Sequence, residues 1–453
     1  MLRELDQHEY LLLRDRMRKR ILKYGGTSSK ADEISKRLER IRNPKKYIPV
    51  PKRLLFVKQK KSIIMDSILP SRSSKWMATH KRKENTEIEL KDFSFIDNPI
   101  GTCHYLTEIV KAESSVLSLR INYGDEYVFD VSPFLVFAIM RHDMAPILSG
   151  GMMKLPVMKV IDALELRQFM KIGKFRHLKD HKEVWGFKLR RRRKTGSSEK
   201  DNLALSPTTK EKVADELVDT VNEWLAQLQP EQELTNDGIG WLQKIVGEVL
   251  DNAERHGSDA GDGDWTTAGF MARRKRDTGD NEYDYICCLS FVNLGKSIGE
   301  TILDARDTSY ERDFKKYLNL HGRSTLGKKL DDELLATVFA LQDGVSRKLL
   351  VGGVGTMDIV EFANDMSSTE SKELEPKVTF ISGASCIQFA SPYIDGKSTD
   401  DAHRRTQWFN KENNPDFPPE SRHVFRLPIR FPGTIISIRF TIDQDLLADL
   451  EDE

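Results

Sequence analysis

Residues 240–257 have the sequence GWLQKIVGEVLDNAERHG, and this stretch decides how the C-terminal half of the chain is interpreted. Its apolar side chains recur every three or four residues, as on one face of an α-helix. They are Leu242, Ile245, Val246, Val249, Leu250 and Ala253. Beside this stripe, Glu248, Asn252 and His256 follow one another at intervals of four residues and form a polar row. We therefore predict a helix that packs on a sheet and holds a carboxylate and a carboxamide at the rim of the packed face.

Three further segments after this helix suit a ligand site. The apolar run Tyr285–Val292 predicts a buried strand, and the turn after it contains Asn293, Gly295 and Ser297. A glycine-rich loop then precedes a predicted helix, and alternating residues predict a late strand, Ile435–Ile442, directly after Thr434. The loop consists of Gly352, Gly353, Val354, Gly355 and Thr356. Glycines let backbone N–H groups approach phosphate oxygens, and a helix N-terminus adds positive potential.

The pattern E-x-x-x-N-A-x-x-H-G of residues 248–257 resembles the N-box of the GHKL ATPases. These include gyrase, the MutL mismatch-repair proteins, heat-shock chaperone ATPases, histidine kinases and anti-sigma serine kinases. The resemblance implies that Asn252 is a Mg²⁺ ligand and that Glu248 positions or deprotonates the attacking water. It also implies that His256 belongs to the nucleotide site. The implied cofactors are ATP and Mg²⁺, since Mg²⁺ prefers a few oxygen ligands together with phosphate oxygens.

The later segments resemble the glycine boxes of the same family. Asn293, Gly295 and Ser297 match the D-x-G-x-G box, with Asn in place of the Asp that contacts the adenine amino group and Ser in place of the second Gly. The loop at 352–356 resembles the second box, which implies phosphate binding by Gly352, Gly353, Gly355 and Thr356. Arg347 and Lys348 lie in the segment that corresponds to the ATP lid, so they are expected to reach the γ-phosphate or else to be solvated charges. Thr434 is expected either to support the nucleotide site or to be a structural strand residue.

A smaller domain is predicted before the ATPase-like region, over residues 88–180. Strands are expected at Val116–Ile121 and Tyr127–Val131, with helices beginning at Ser132 and spanning Pro156–Gln168. This order resembles the STAS domain of anti-anti-sigma factors, which implies a protein partner at this domain. Ser132 falls where those regulators carry a phosphorylated serine, and the alternative is a plain helix cap.

Charge is distributed unevenly along the chain. Residues 1–83 contain 24 Lys and Arg and 8 Asp and Glu, a formal net charge of +16, whereas the remainder has a net charge of −15. We predict a basic helical arm and connector over 1–87, and we expect residues 1–83 to bind a nucleic acid or another polyanion or to dock on the protein's own acidic surface. Residues 181–205 are predicted to be a basic flexible linker, and 206–453 the ATP-binding domain.

Composition excludes several classes of protein. No run of 18 apolar residues occurs, so no membrane span is expected. The four cysteines are too scattered for a disulfide framework or a zinc site, which makes the cytoplasm the expected location. The predicted fold is α/β: a GHKL-type mixed sheet covered by helices on one face, preceded by the STAS-like α/β domain and the arm.

The expected function is that of an ATP-hydrolysing switch in which Mg-ATP changes contacts with a partner or a second subunit of a homodimer. The architecture resembles bacterial ATP-binding regulators with STAS-like modules, which implies a regulatory or defence role. A protein serine kinase similar to the anti-sigma factors is one alternative. A non-catalytic nucleotide sensor is the other, because the first glycine box lacks its Asp and second Gly.

Overall fold

The computed structural model covers residues 1–453 and describes the following parts of the chain: 15, 16, 19, 23, 32, 60–72, 83–175, 178, 180–192, 209–228, 231–257, 263–276, 283–305, 310–322, 330–342, 345, 355–367, 372, 374–394, 397–399 and 404–443. None of the helices in these parts combines the length and the apolar composition that a membrane span requires. The protein is mixed α/β, and its described parts contain a three-stranded parallel sheet, a five-stranded antiparallel sheet and a two-stranded antiparallel sheet.

The described parts of the chain contain both helices and strands. The helices are α1 (Ile63–Ile68), α2 (Pro99–Ser115), α3 (Ser132–Asp143), α4 (Leu155–Ala163), α5 (Leu166–Phe169), α6 (Lys210–Leu225), α7 (Asn236–His256), α8 (Ile298–Leu303), α9 (Glu311–Gly322), α10 (Asp332–Ala340) and α11 (Gly355–Asp365). The strands are β1 (Lys83–Leu90), β2 (Val116–Tyr123), β3 (Leu148–Gly150), β4 (Val184–Arg192), β5 (Asp264–Lys275), β6 (Tyr283–Leu294), β7 (Lys377–Phe389), β8 (Lys397–Thr399), β9 (Arg404–Thr406) and β10 (Val424–Asp443).

The chain forms two compact units, and the first contains the parallel sheet. It comprises residues 1–90, 105–123 and 140–152, with strand order β1-β2-β3. Arg72 is buried there, and its Nε donates to Oε2 of the equally buried Glu113 at 2.8 Å. Ile64, Met65 and Ile68 of α1 are buried as well. An apolar helix face and a buried ion pair therefore hold α1 and Arg72 in this unit.

The second unit comprises residues 91–104, 124–139 and 153–453 and contains a five-stranded sheet in the order β4-β5-β6-β10-β7. Every neighbouring pair in this sheet is antiparallel. The expectation of a mixed sheet here was wrong. The chain reverses from β5 to β6, and the 20-residue strand β10 then inserts antiparallel between β6 and β7.

Helices α6, α7, α10 and α11 contribute to one apolar core with this sheet. Odd-numbered residues of β6, such as Cys287, Leu289 and Phe291, belong to that core together with Leu250 of α7 and Ile438 of β10. Side chains alternate between the two faces of a strand, so Asn293 and Thr434 lie on this helix-covered face. The core therefore holds α7 against the sheet and determines where its polar row lies.

The opposite face of the same sheet is also buried, contrary to the expectation of helices on one face only. Ser437 and Arg439 of β10 are at most 2% exposed. Asp130 accepts a hydrogen bond from Ser437 Oγ at 2.6 Å, and Asp97 lies 2.5 Å from Arg439 Nη1. Residues 91–104 and 124–139 supply these carboxylates, so a second layer covers this face of the sheet.

Other local differences from the expectations have simple causes. The segment 127–131 is irregular because Asp130 turns inward to accept hydrogen bonds from backbone N–H groups. The predicted linker contains strand β4, since Phe187 and Leu189 are buried while the charges between and after them stay partly exposed. The predicted helix over 156–168 is divided into α4 and α5 at Glu165, which has a positive φ of 57°.

Candidate functional site

The predicted N-box segment forms α7, a helix of 21 residues. Thr235 caps its N-terminus, with Oγ1 accepting a hydrogen bond from Gly238 N at 3.1 Å. Leu242, Ile245 and Leu250 are at most 1% exposed and anchor the helix in the core. The predicted amphipathic helix is confirmed.

Glu248 lies half-buried on the polar row of α7. Burial raises the pKa of its carboxyl group, Lys244 one turn earlier opposes that rise, and Asp358 adds to it. Lys244 Nζ lies 3.0 Å from Oδ2 of Asp358, which is buried in the first turn of α11. In the part of the chain that the structure describes, the Glu248 carboxylate makes no hydrogen bond. Its raised pKa therefore makes it a stronger base than an ordinary glutamate.

Asn252 follows one helical turn later and is exposed. Its carboxamide has no hydrogen-bond partner among the described residues, whereas its neighbour Asp251 is ion-paired with Lys210 and Arg255. His256 is the last residue of α7. A groove of about 520 Å³ runs between α6 and α7, and Glu248 is among its lining residues. The row thus offers one exposed amide and one half-buried carboxylate toward solvent.

Asn293 and Thr434 lie opposite each other at one end of the sheet. Asn293 Oδ1 accepts a hydrogen bond from Thr434 N at 2.6 Å. The Thr434 hydroxyl is 2.8 Å from the hydroxyl of Ser382, which also accepts from Ile298 N at 2.7 Å. Two residues that are 141 positions apart in sequence are therefore joined at the sheet end.

The turn after β6 meets the C-terminal end of α7. Gly295 has φ +149°, and a Cβ built there would lie 1.6 Å from the carbonyl oxygen of Gly257. Only glycine fits such an approach, because any side chain would overlap a backbone atom. The contact places the C-terminal end of α7 next to the turn that follows Asn293.

Ser297 has a different setting from the one that the glycine-box comparison implies. Its side chain is buried, caps α8 in a capping box with Glu300, and donates to Glu333 Oε1 at 2.9 Å. Glu333 also pairs with Arg430. The hydroxyl of Ser297 therefore makes structural hydrogen bonds, to Glu333 and within the capping box.

The remaining residues that the sequence predicted for the site belong to the segment 347–356, of which the structure describes only the last two. Arg347, Lys348, Gly352 and Gly353 lie outside the described residues. Gly355 and the partly exposed Thr356 begin α11, whose first turn reaches Lys244 through Asp358.

Sequence reasoning missed three members of this region. Lys244 continues the four-residue spacing of Glu248, Asn252 and His256 toward the N-terminus, so the periodicity could have identified it. Asp358 and Ser382 gave no such signal, because they reach α7 and β10 only through tertiary packing.

No three His, Cys, Asp or Glu side chains converge on a metal-binding geometry in the described parts of the chain. In comparisons with protein-family models, curated proteins and solved structures, none matches this chain.

Proposed function

We propose that residues 206–453 bind Mg-ATP in the manner of the GHKL ATPases, hydrolyse it, and act as a nucleotide-driven switch in a homodimer or with a partner. One observation carries the proposal. The C-terminal end of α7, the helix that carries the polar row, contacts the turn after Asn293 where Gly257 approaches Gly295, and Asn293 is hydrogen-bonded to Thr434. This arrangement supports a site with a metal-binding amide at α7 and a base-binding end at the sheet.

The exposed Asn252 fits a Mg²⁺ ligand. Its carboxamide oxygen is a neutral oxygen donor, and Mg²⁺ usually combines one or two such protein ligands with water and phosphate oxygens. A site of this kind needs no cluster of carboxylates. Bound Mg²⁺ would neutralise charge on the phosphates.

Glu248 fits the general base. Its half-buried carboxylate lies one turn from Asn252 on the same face of α7, about 6 Å along the helix axis. Its raised pKa favours removal of a proton from an attacking water, and Lys244 opposes part of that rise. The two side chains thus divide ligand positioning and proton transfer between them.

Calorimetry with the full-length protein tests the binding step. Asn252→Ala should weaken Mg-ATP binding by about tenfold or more while leaving the melting temperature unchanged, since the side chain is exposed. Asn236→Ala is the matched control, because Asn236 is an exposed asparagine of the same helix, 16 positions earlier. Equal affinities for the wild type and both variants would contradict the proposal.

ATP labelled at the γ-phosphate separates turnover from its alternatives. Free phosphate supports hydrolysis, and labelled protein supports the kinase. Ser132 is a poor phosphate acceptor, since its buried hydroxyl donates to Asp130. A bound nucleotide without either product supports the sensor, an alternative favoured by the structural role of Ser297.

The basic N-terminal residues are proposed to bind a nucleic acid through salt-sensitive phosphate contacts. Most of residues 1–59 lie outside the described residues, whereas within 60–72 Arg72 is ion-paired with the buried Glu113. Deletion of residues 1–59 is therefore the appropriate test, because it keeps the buried ion pair of Arg72. It should abolish retardation of a mixed-sequence DNA duplex or RNA at low salt and leave Mg-ATP binding intact. No retardation by the full-length protein would contradict nucleic-acid binding.

A further inference from the structure

A pocket of about 250 Å³ lies where β5 ends and β6 begins, at the other end of the five-stranded sheet from Asn293. All of its lining residues belong to the second unit. We propose that residues 444–453, which directly follow β10, dock in this pocket within the same chain and cover it. The pocket is separate from the proposed nucleotide site, so the docking is independent of nucleotide binding.

The buried part of the pocket wall is apolar. Val128, Val160, Val184 and Ile286 line it and are at most 7% exposed, whereas the lining residue Leu155 is 53% exposed. An engineered apolar cavity of about 150 Å³ holds a benzene molecule, so this pocket has room for at least one leucine side chain. An exposed leucine beside a buried apolar wall is typical of a surface that another segment covers.

The rest of the wall is positively charged. Its charged residues are four cations and one carboxylate: Lys159, Arg273, Arg274, Lys275 and Glu183. Glu183 lies 2.9 Å from Lys159 Nζ and 3.1 Å from Arg273 Nη2, so it is shared by two of the cations. The ammonium group of Lys275 is exposed and forms no ion pair with the residues that the structure describes. The excess of positive charge favours an acidic occupant.

Strand β10 ends beside this pocket. Its last residue, Asp443, is the register partner of Asp284 on β6, and Asp284 is the register partner of the pocket residue Arg274 on β5. Neighbouring strands lie about 4.8 Å apart, so residue 443 is about 10 Å from Arg274. Ten further residues span up to about 33 Å, which is enough to reach and cross the pocket.

The segment that follows β10 has the chemistry that this wall requires. Residues 444–453 have the sequence QDLLADLEDE, in which five side chains are acidic, none is basic and three are leucines. They lie outside the described part of the chain. Acidic side chains match the cations and leucines match the apolar wall, the usual combination of an apolar centre with a polar rim. A nucleic-acid backbone would use only the cations and leave the apolar wall without a partner.

Amine acetylation of the full-length protein, followed by mass spectrometry, tests the docking through Lys275. A tethered segment has an effective concentration of about 1 mM, so an affinity of about 0.1 mM keeps it docked about nine-tenths of the time. Lys275 should therefore react about tenfold more slowly in the wild type than in a variant that combines Leu446→Ser, Leu447→Ser and Leu450→Ser. Lys296, which follows the other end of β6, is the control and should react equally in both proteins. Equal rates at Lys275 would overturn the inference.

Two exposed leucines test the pocket side of the contact. Leu155→Ser removes an apolar side chain of the pocket and should raise the acetylation rate of Lys275 toward that of the triple variant. Leu320→Ser changes a similarly exposed leucine of α9, outside the pocket, and should leave the rate unchanged. Thermal melting monitors the fold of each variant, and an unchanged rate in a folded Leu155→Ser would overturn the inference.

Other occupants of the pocket give different results in the same assay. Protection of Lys275 that rises with protein concentration would assign the pocket to a second copy of the chain. Protection that requires an added DNA duplex would assign it to a nucleic acid. Either result would overturn docking within the chain. None of these measurements uses a nucleotide, so they leave the proposed function untouched.

Discussion

The two faces of the five-stranded sheet are both buried, but they are built from different side chains. The face under α6, α7, α10 and α11 is apolar along β6 and β10 and becomes polar only at its end, at Asn293 and Thr434. The opposite face carries Ser290, Ser437 and Arg439 in its middle, each at most 2% exposed. Polar groups at the end of a sheet are accessible to a ligand. Polar groups in the middle of a covered face are buried, and they can bond only to other groups of the protein.

The difference predicts that one face carries function and the other carries stability. Substitutions at the rim of the helix-covered face should change nucleotide chemistry and leave unfolding unaffected. Substitutions in the opposite layer should do the reverse, because buried charges there depend on their partners.

The largest effect is expected for Asp97→Ala. Asp97 Oδ2 lies 2.5 Å from the buried Arg439 and Oδ1 lies 2.9 Å from Lys377, so its loss leaves a buried guanidinium without its carboxylate. The free energy of unfolding, measured in urea, should fall by about 3 kcal/mol. Asp304→Ala is the control, since Asp304 forms an exposed ion pair with Lys296 and should change stability by less than about 0.5 kcal/mol. Similar decreases in unfolding free energy for the two variants would contradict the stabilising role of the opposite face.

Glu248→Gln should lower nucleotide turnover by about 100-fold or more, because the amide cannot accept the proton of the attacking water. Stability should stay within about 0.5 kcal/mol of the wild type, since the side chain lies at the rim. Glu211→Gln is the matched control, because Glu211 lines the same groove from α6. A steady-state phosphate-release assay measures both variants. Wild-type turnover in Glu248→Gln would contradict the role of base.

Ser437→Ala removes a hydroxyl that donates to the buried Asp130 at 2.6 Å. Asp130 keeps hydrogen bonds from Ser132 and Phe95 N, so the unfolding free energy should fall by only about 1 kcal/mol. Turnover should not change. Ser115→Ala, at an exposed serine, is the control and should be neutral. A loss of turnover at constant stability would show that the opposite face communicates with the site.

The smallest expected effect concerns pH. Burial raises the pKa of Glu248, and only the ionised carboxylate accepts a proton. Turnover should therefore decline on the acid side as pH falls through a value above the ordinary 4.5 of a glutamate. The decline should be absent from the residual turnover of Glu248→Gln. A pH series at saturating nucleotide measures it, and an identical acid limb in both proteins would assign the titration to another group.

The helix-covered face could be predicted largely from sequence. The stripe of α7 and the apolar run of β6 each have one period over many residues, so burial on one side follows directly. The Asn293–Thr434 contact was foreseen only as two separate motif positions, since pairing between β6 and β10 depends on register rather than on local pattern.

The opposite face could not be predicted in the same way. In β10, Ser437, Arg439 and Thr441 alternate with apolar residues, a pattern typical of a strand with one solvated face. All three are buried; Asp130 accepts a hydrogen bond from Ser437 and Asp97 neutralises the charge of Arg439, and both carboxylates lie more than 300 positions earlier in the sequence. Periodicity records polarity and gives no information about a partner so distant in sequence.

Two adjacent cysteines of β6 have their side chains on opposite faces of the sheet. Cys287 points into the apolar core under the helices, while the sulfur of Cys288 accepts a hydrogen bond from Val131 N at 3.4 Å on the other side. Both thiols are free, and burial raises the pKa of each, so neither reacts readily in the folded protein. Alkylation of Cys287 therefore requires the helix layer to lift, and alkylation of Cys288 requires the opposite layer to lift. The alkylation rates of these two neighbouring cysteines would therefore report separately on the opening of the two layers that cover the sheet.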